Sequence, residues 1–452
     1  MQLSSTNSTD GTRTDQPQAQ NPALEKDLEE QPINGEGEDV SHDNVKPESI
    51  PDIDGKPNSS QEDVLAARGL RRIILNFTPS WFIITMSTGV LSLLLHQLPY
   101  NGSWLQIISV IFFVLNITLF VLFSIITALR YSMYPRLWPA VLRHPHQSLF
   151  LATFPVGLAT LVNMTVLVCV PVWGHGMATF AWVLWWIVSL LALTTCCHLT
   201  FVIMSNKRHD LEEMTALYLI PIVAVVIAAT SGATVAKFLP NQQHQLWTLI
   251  ISYIFWGIGS PLSWIILTLY FLRMTVHKPL QREVIVSLLL PIGPLGLSGF
   301  SIMTLGKLAK TLFPLTDALP HVRGAGDVFY IVGVMLGIIL WGFATVWLVV
   351  AVMMIVNSGG FPFNMGWWGF IFPVAVFTLL TVTIGEELES RFFKVLSCVL
   401  AVICVIMWLV VAAGTIRRSI SGKMFFAPCL GTDLFGKKLK LYGEEPKISK
   451  GH

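Results

Sequence analysis

Residues 153–160 read TFPVGLAT and residues 371–378 read IFPVAVFT. Both stretches place Phe-Pro-Val inside an apolar run, and in both a threonine follows five residues after the proline. Proline removes a backbone hydrogen-bond donor and crowds the preceding turn of a helix. The same helix-breaking step therefore occurs twice, in segments that otherwise suit apolar helices.

The two stretches belong to a longer series of prolines, each inside an apolar run or at its edge. The series is Pro79, Pro155, Pro221, Pro294 and Pro373. Successive members are 66 to 79 residues apart, a length that holds one helical hairpin with its connections. The sequence therefore predicts five repeats of a helical hairpin, with a proline in the first helix of each.

The composition indicates a membrane protein. Of the 452 residues, 53% are hydrophobic and only 12% are charged, whereas charged residues make up about 25% of a soluble protein. Apolar runs long enough to cross a bilayer as helices are separated by polar connections. We predict an all-α polytopic membrane protein with ten spans, at residues 80–98, 104–128, 148–171, 177–203, 215–236, 246–271, 286–306, 327–355, 366–384 and 392–415.

Charge divides the chain into unlike parts. Residues 1–66 hold 15 acidic residues, 4 basic residues and no aromatic residue, a composition typical of a disordered tail. The rest of the chain holds 12 acidic and 25 basic residues, which is a net charge of +13. We predict a disordered acidic tail over residues 1–66, a ten-helix transport domain over 67–420 and a short basic tail over 421–452.

Lys and Arg residues beside the spans predict the orientation, because these residues are enriched on the cytoplasmic side. With the amino terminus inside, the inner segments hold 17 of them and the outer segments hold 6. Nothing near Met1 has the apolar core of a signal peptide, so we expect the first span to direct insertion. Both termini are predicted to be cytoplasmic.

The proline-bearing odd-numbered spans are predicted to face inward. Non-helical backbone at membrane depth is tolerated only where it is buried in protein or lines a watery cavity. Five inner helices, kinked at their prolines and surrounded by five straighter helices, would enclose a narrow pore. The candidate pore-lining residues carry hydroxyl groups: Thr85, Ser87, Thr88, Thr160, Thr230, Ser231, Ser298, Ser301 and Thr378.

Such a pore suits an anion. Hydroxyl groups and the amide ends of interrupted helices stabilise an anion weakly, which favours throughput. The bland alternative is that each hydroxyl bonds to its own backbone, which is the commoner arrangement in membrane helices. A single proline also often serves packing alone, but five at regular spacing favour the pore.

Other site types find little support in the sequence. The middles of the odd spans hold no Lys, Arg, Asp or Glu, which argues against a proton or cation pump. Five of the six cysteines lie in apolar spans, and no cysteine pair has metal-ligand spacing with a nearby histidine. We expect no metal, no cofactor and no nucleic-acid partner. The expected partners are membrane lipid and a small anion.

Three segments resemble the matching segments of fungal sulfite efflux transporters, which belong to the tellurite-resistance and dicarboxylate transporter family. They are NFTPSWFIITMSTGVLSLLLHQLPYNG at 76–102, LLLPIGPLGLSGFSIMTLGK at 288–307 and MGWWGFIFPVAVFT at 365–378. The family also includes plant slow anion channels, bacterial tellurite-resistance proteins and yeast malate permeases. The resemblance extends over residues 70–420.

The resemblance implies a bundle of five hairpins with quasi-fivefold symmetry, one pore in each protomer, and a homotrimer in the plasma membrane. Family channels close the pore with a phenylalanine at the proline of the ninth helix, and the matching residue here is Phe372. The implied function is export of sulfite or bisulfite past this gate. Phe154 is the equivalent residue of span 3, where we expect it to serve packing.

The chain departs from the family pattern at two positions. Leu297 stands in the seventh helix where a polar amide is expected, and Ser87 stands in the first helix where a glycine is expected. A C4-dicarboxylate permease for malate and a general anion channel remain alternatives, although a dicarboxylate would favour a basic side chain at mid-depth. An intramembrane enzyme or receptor is a third class, and the spans lack the clustered polar groups that an enzyme needs.

Overall fold

The structure of the protein is a computed structural model that describes residues 69–144, 146–205, 211–277, 285–421 and 424–425. The predicted tail at 1–66 and almost all of the predicted tail at 421–452 lie outside these residues. Within them, ten helical segments are long and apolar enough to cross a membrane, which confirms the predicted number. Spans 1 to 10 are Pro79–Gln97, Ser103–Met133, Leu149–Trp173, His175–His198, Ala216–Ala236, Gln242–Val276, Ile285–Thr316, Ala325–Asn357, Met365–Glu387 and Arg391–Ile420.

The odd-numbered spans form the core of the bundle. In the apolar stretch of each odd span 56% to 100% of the residues are buried, against 22% to 39% in the even spans. Each odd span contacts the next odd span, and span 9 contacts span 1, so the five make a closed ring. Spans 2, 4, 6 and 8 each pack on the outside against the two odd spans that flank them in sequence, and span 10 packs against spans 9 and 1. Lipid therefore meets the even spans, and the ring encloses an axis.

Each inner span begins with a 3-10 helix and continues as an α-helix. In span 9 the 3-10 helix is Met365–Phe370 and the α-helix is Ile371–Glu387. The other inner spans make the same change after Pro79–Trp81, Leu149–Ala152, Ala216–Leu219 and Ile285–Leu289. Span 3 also contains a π-helical turn at Thr165–Cys169.

The five prolines lie at this change rather than in the middle of an α-helix. Pro79 opens the first 3-10 helix, Pro221 is the second residue of its α-helix, and Pro155, Pro294 and Pro373 are each the third residue. The first four N–H groups of an α-helix have no partner within it, so a proline there removes no α-helical hydrogen bond. Bending of the helices at these residues stays a prediction.

Side-chain hydrogen bonds join each outer span to the inner span that follows it. Four of the donors are tryptophan indoles of spans 4, 6, 8 and 10, and the fifth is an asparagine of span 2. The pairs are Asn116 to Thr160 Oγ1 at 3.2 Å, Trp185 to the Ala228 carbonyl at 2.8 Å, Trp256 to the Ser298 carbonyl at 2.9 Å, Trp341 to Thr381 Oγ1 at 2.9 Å, and Trp408 to Thr88 Oγ1 at 3.1 Å. The last pair joins span 10 to span 1, so the series of outer-to-inner hydrogen bonds extends around the whole ring.

Arginines at the ends of three outer spans fix the segments that lead into three inner spans. Arg130 donates from Nη1 to the Phe77 carbonyl at 2.7 Å, just before span 1. Arg273 donates to the Glu212 carbonyl at 3.1 Å, before span 5, and Arg418 donates to the Phe363 carbonyl at 2.5 Å, before span 9. Arg130 is 0% exposed. The arginines that predicted the orientation therefore also hold the starts of inner helices.

Close backbone approach fixes span 7 between its neighbours. A Cβ atom on Gly296 would lie 2.9 Å from the backbone of Phe377 in span 9, and one on Gly333 of span 8 would lie 2.8 Å from the Ile302 carbonyl oxygen. Glycine is therefore required at both contacts. Gly342, also in span 8, has open space around it. Of these two glycines of span 8, Gly333 allows a close contact with span 7, and Gly342 makes no such contact within this chain.

We predict that Arg130→Gln destabilises the protein, because the substitution leaves the buried Phe77 carbonyl without its charged donor. Hydrogen bonds to charged groups contribute about 1.5–3 kcal/mol. The midpoint of thermal unfolding in detergent should fall by several degrees. Arg417→Gln is the matched control, since Arg417 is exposed and its substitution should leave the midpoint unchanged. Equal midpoints for the two variants would refute a structural role for the Arg130 contact.

We also predict that Trp408 and Thr88 are energetically coupled. In a double-mutant cycle of Trp408→Phe and Thr88→Val, the coupling energy should be about 0.6–1.7 kcal/mol, the range found for hydrogen bonds between membrane helices. Unfolding in detergent measures all four proteins. Trp104→Phe combined with Thr88→Val is the control, because Trp104 lies on the exposed face of span 2. A coupling energy no larger than this control gives would contradict the closure of the ring through this pair.

Candidate functional site: the axial path and its mouth

A cavity of about 480 Å³ lies where the five inner spans end. Each inner span contributes to its wall, and no lining residue comes from an outer span. The lining residues are Gln97 of span 1, Leu167 of span 3, Ala233, Thr234, Lys237 and Phe238 at the end of span 5, Phe300, Thr304, Lys307, Leu308 and Thr311 of span 7, and Val382, Thr383 and Glu386 of span 9. A cavity that touches all five members of a closed ring lies on the axis of that ring. We call it the C-terminal mouth.

Most of the threonines predicted to line the pore bond to their own helix. Thr85 donates to the Phe82 carbonyl, Thr160 to Gly157, Thr230 to Val226 and Thr378 to Val374, at distances of 2.7 to 3.1 Å. Thr88 accepts the Trp408 indole of span 10 and so faces an outer helix. Ser87 donates to the Trp368 carbonyl of span 9 at 3.0 Å, where the family pattern expects glycine. These hydroxyls satisfy buried backbone or join helices.

Three serines of spans 5 and 7 differ from these threonines. Ser231, Ser298 and Ser301 are each 0% exposed, and their hydroxyls have no hydrogen-bond partner among the described residues. Native interiors leave few polar atoms unpaired, so an unpaired buried hydroxyl marks a place where a ligand or water can bind. Ser298 and Ser301 lie one turn apart on span 7, on either side of Phe300, the first residue of that span that lines the mouth.

One polar residue in this region was not singled out from the sequence. Asn163 of span 3 is 1% exposed, and its side-chain oxygen has no partner among the described residues. The sequence signal that could have identified Asn163 was its side-chain amide inside the apolar run LATLVNMTV. Leu297, which replaces the expected amide of span 7, is 2% exposed and belongs to the apolar core. Span 7 therefore presents hydroxyls but no amide at this level.

Phe372 and Phe154 occupy equivalent positions, each the second residue of its α-helix and each followed by proline. Phe154 packs against Phe82 and Phe120 with ring centroids 5.1 Å apart in both pairs, as expected of a packing residue. Phe372 is 2% exposed, but among the described residues it makes no ring contact with another aromatic side chain. The two phenylalanines thus differ in surroundings although both stand in a Phe-Pro-Val step with a threonine five residues after the proline.

Charged side chains collect at the C-terminal mouth. Lys237 and Lys307 line it together with Glu386. Lys307 Nζ lies 2.6 Å from Oε1 of Glu387, and the Tyr330 hydroxyl donates to the other oxygen of that carboxylate. The Glu387 side chain is only 10% exposed. A solvated carboxylate at a span end would be the simplest interpretation of its sequence position, but Glu387 instead joins spans 7, 8 and 9.

The sequence profile of the voltage-dependent anion channel family matches residues 76–416 of this chain. The sulfite efflux pump of Arthroderma benhamiae is 44% identical over 352 residues, which cover 78% of this chain and 93% of the relative. The sulfite efflux pump of Candida albicans is 26% identical, with 74% and 72% covered.

A more distant relative carries a different name. The malic acid transport protein of Schizosaccharomyces pombe is 27% identical, with 75% of this chain and 78% of the relative covered. The profile match spans more than half of the chain, and its limits enclose all five inner spans and nine of the ten spans completely. This chain is therefore a member of the voltage-dependent anion channel family, a family of membrane transporters for anions.

Proposed function

We propose that this chain exports sulfite or bisulfite from the cell along the axis of its five inner helices. The observation that carries the proposal is the C-terminal mouth, whose wall is made by all five inner spans and by none of the outer ones. Such a cavity is the natural end of a path through the ring. The relatives named sulfite efflux pumps support sulfite as the anion, since one of them is 44% identical over most of both chains.

Helix dipoles give the path a direction. The five inner helices run in parallel, so their N-terminal ends converge at the end of the bundle opposite the C-terminal mouth. Each N-terminus carries about half a positive elementary charge, which attracts an anion. We assign this end to the cytoplasm, because the excess of Lys and Arg in the inner segments predicts cytoplasmic termini. A negative cell interior then drives the anion outward.

We assign the gate to Phe372. Its ring is buried, it stands beside the change from 3-10 to α-helix in span 9, and no aromatic neighbour among the described residues holds it by ring contact. A bulky apolar side chain closes a narrow path by occupying it and by failing to replace the water of a hydrated ion. The hydroxyls of Ser298 and Ser301 would meet the anion beyond this point.

The same proposal includes the setting of the transporter. We propose a multi-pass protein of the plasma membrane, with both termini in the cytoplasm, that transports without catalysing a reaction. Three protomers would assemble, each with its own axial path. The even spans leave most of their apolar residues exposed, which supports contact with lipid or with neighbouring protomers. Chemical crosslinking in membranes tests the trimer, and protease access to the tails tests the orientation.

The direct test is anion flux into proteoliposomes, with sulfite, malate, nitrate and chloride compared. We expect sulfite flux to exceed malate flux, because the described inner spans offer no basic side chain at mid-depth for a second carboxylate. Malate flux above sulfite flux would favour the alternative dicarboxylate permease. Similar fluxes for all four anions would indicate a general anion channel. No flux above that of empty liposomes would contradict the axial path.

We predict that Phe372→Ala raises sulfite flux, because the substitution removes the ring that we assign to closing the path. Phe154→Ala is the matched control. It deletes the same atoms from the equivalent position of span 3, where loss of packing should lower the free energy of unfolding by about 3–5 kcal/mol without raising flux per folded molecule. The gate assignment fails if Phe372→Ala leaves flux unchanged in a protein of normal stability.

We predict that Ser298→Ala lowers sulfite flux while leaving stability intact, because the hydroxyl it removes has no partner to lose. The loss should be about twofold to tenfold, equivalent to about 0.5–1.4 kcal/mol for one hydrogen bond. Ser92→Ala is the control, since the Ser92 hydroxyl donates to the Ser109 carbonyl at 2.8 Å. That variant should lose stability and keep its flux per folded molecule. The opposite pattern would place Ser298 in the packing rather than on the path.

A further inference from the structure

At the C-terminal mouth the ends of the inner helices repel an anion, and two lysines can offset this repulsion. Five inner helices end there, and each C-terminus carries about half a negative elementary charge on its unpaired carbonyl groups. An anion that leaves the path meets these five ends together. The described residues that line the cavity include two cations, Lys237 and Lys307, and one acid, Glu386. The two ammonium groups can offset the repulsion where it is greatest.

We propose that the C-terminal mouth is an oxyanion-binding site, in which Lys237 and Lys307 hold the departing anion and Glu387 competes with that anion for Lys307. The proposal deepens the proposed function and rests on it. Its ligand class is a small oxyanion with one or two negative charges. Its further claim is that an acid of span 9 sets how tightly the site binds.

The two lysines stand in different surroundings. Lys237 follows span 5 directly, and no acidic group of the described residues lies within 4.0 Å of it in an ion pair. Its ammonium group lies 5.7 Å from the ring centre of the neighbouring Phe238. Lys307 instead forms its ion pair with Glu387 at 2.6 Å. One cation is therefore free to meet an anion at once, and the other becomes available only when it leaves Glu387.

Contacts to both of its carboxylate oxygens hold the Glu387 side chain in position. Tyr330 of span 8 donates its hydroxyl to one carboxylate oxygen while Lys307 contacts the other. Lys310 covers the Tyr330 ring at 4.3 Å and lies 3.9 Å from Asp327, so these groups are held by further contacts. The competitor therefore keeps its position when an anion draws Lys307 away. Lys307 can then return to it after release.

Weak binding is the expected consequence. A transport site must bind its ion well enough to admit it and weakly enough to release it. Two unopposed lysines in a partly enclosed cavity would hold an oxyanion too long. Glu387 removes part of the charge of Lys307, and Glu386 adds a negative charge to the wall. The pattern of two cations and two acids thus suits capture followed by release.

Two other roles of these lysines have to be distinguished from the binding of a free anion. Lysines at helix ends often reach toward lipid headgroups or simply stabilise the helix terminus. A lipid phosphate would offer the same oxyanion chemistry as a free anion. The lining of the mouth favours the free anion, because its residues come only from inner spans, which outer spans separate from lipid.

The test measures how sulfite flux depends on sulfite concentration in vesicles of phosphatidylcholine alone, at physiological salt. We expect Lys237→Met and Lys307→Met to raise the half-saturating concentration about twofold to fivefold, the size of a partly exposed charge interaction. Glu387→Gln should lower it, because Lys307 is then free. Arg323→Gln is the control, since it removes an exposed charge from the neighbouring loop, outside the mouth.

The outcomes separate this proposal from the function on which it rests. If the wild type shows saturable sulfite flux and the lysine variants match Arg323→Gln, the oxyanion site is refuted while the exporter stands. If the lysine variants differ from the wild type only in vesicles that contain an anionic phospholipid, the ligand is a headgroup and the proposal is also refuted. A wild type that carries no sulfite overturns both. Thermal melting of each variant excludes misfolding as the cause of a change.

Discussion

Inside a bilayer, backbone N–H and C=O groups must find partners within the protein, because lipid offers none. The segments that lead into the inner spans carry backbone carbonyl groups, those of Phe77, Glu212 and Phe363 among them, that this constraint requires to be paired within the protein. The fold satisfies it by closing these spans into a ring and covering them with five outer helices. The 3-10 starts, the arginines that donate to entry-segment carbonyls, and the tryptophan indoles all supply hydrogen bonds where the inner backbone or its hydroxyls need them.

Closure of the ring also gives the proposed path its electrostatics without a charged side chain in the middles of the inner spans. Parallel inner helices put five positive termini at one end and five negative termini at the other, so attraction and release are separated by the length of the bundle. Formal charges are needed only where the dipoles oppose the anion, and the lysines of the mouth stand there. A deep basic residue would have strengthened binding at the cost of release.

The sequence predicted much of this architecture, because long apolar runs and a regular proline spacing are strong signals. The ten spans follow from the apolar runs, and the inward position of the odd spans was predicted from their prolines. Positions within a span were less predictable. The prolines lie at the start of α-helices because a proline fits there without loss of a hydrogen bond, and Thr88 faces Trp408 because rotation about the helix axis depends on packing with neighbours. No pattern in one chain reveals that rotation.

The mouth was the part least visible in the sequence. Lys307 and Glu387 lie 80 residues apart, the first in the C-terminal half of span 7 and the second at the last residue of span 9, and only closure of the ring brings them to 2.6 Å. In the sequence, each of these two residues looks like an ordinary charged residue near the end of a membrane span. Phe372 illustrates the opposite case, since the family resemblance singled it out while it shares its Phe-Pro-Val step with Phe154. Its lack of a ring partner distinguishes it only once the neighbours are known.

The central claim is that an anion passes along the axis of the inner helices, and chemical access to Ser298 tests it most directly. In a chain whose six native cysteines are replaced, Ser298→Cys would be exposed to a small negatively charged thiol reagent in proteoliposomes. The account predicts that the thiol reacts, that it reacts faster with Phe372→Ala, and that sulfite slows the reaction. A thiol that stays unreactive even with Phe372→Ala, in a folded protein that transports sulfite, would show that the anion takes another route.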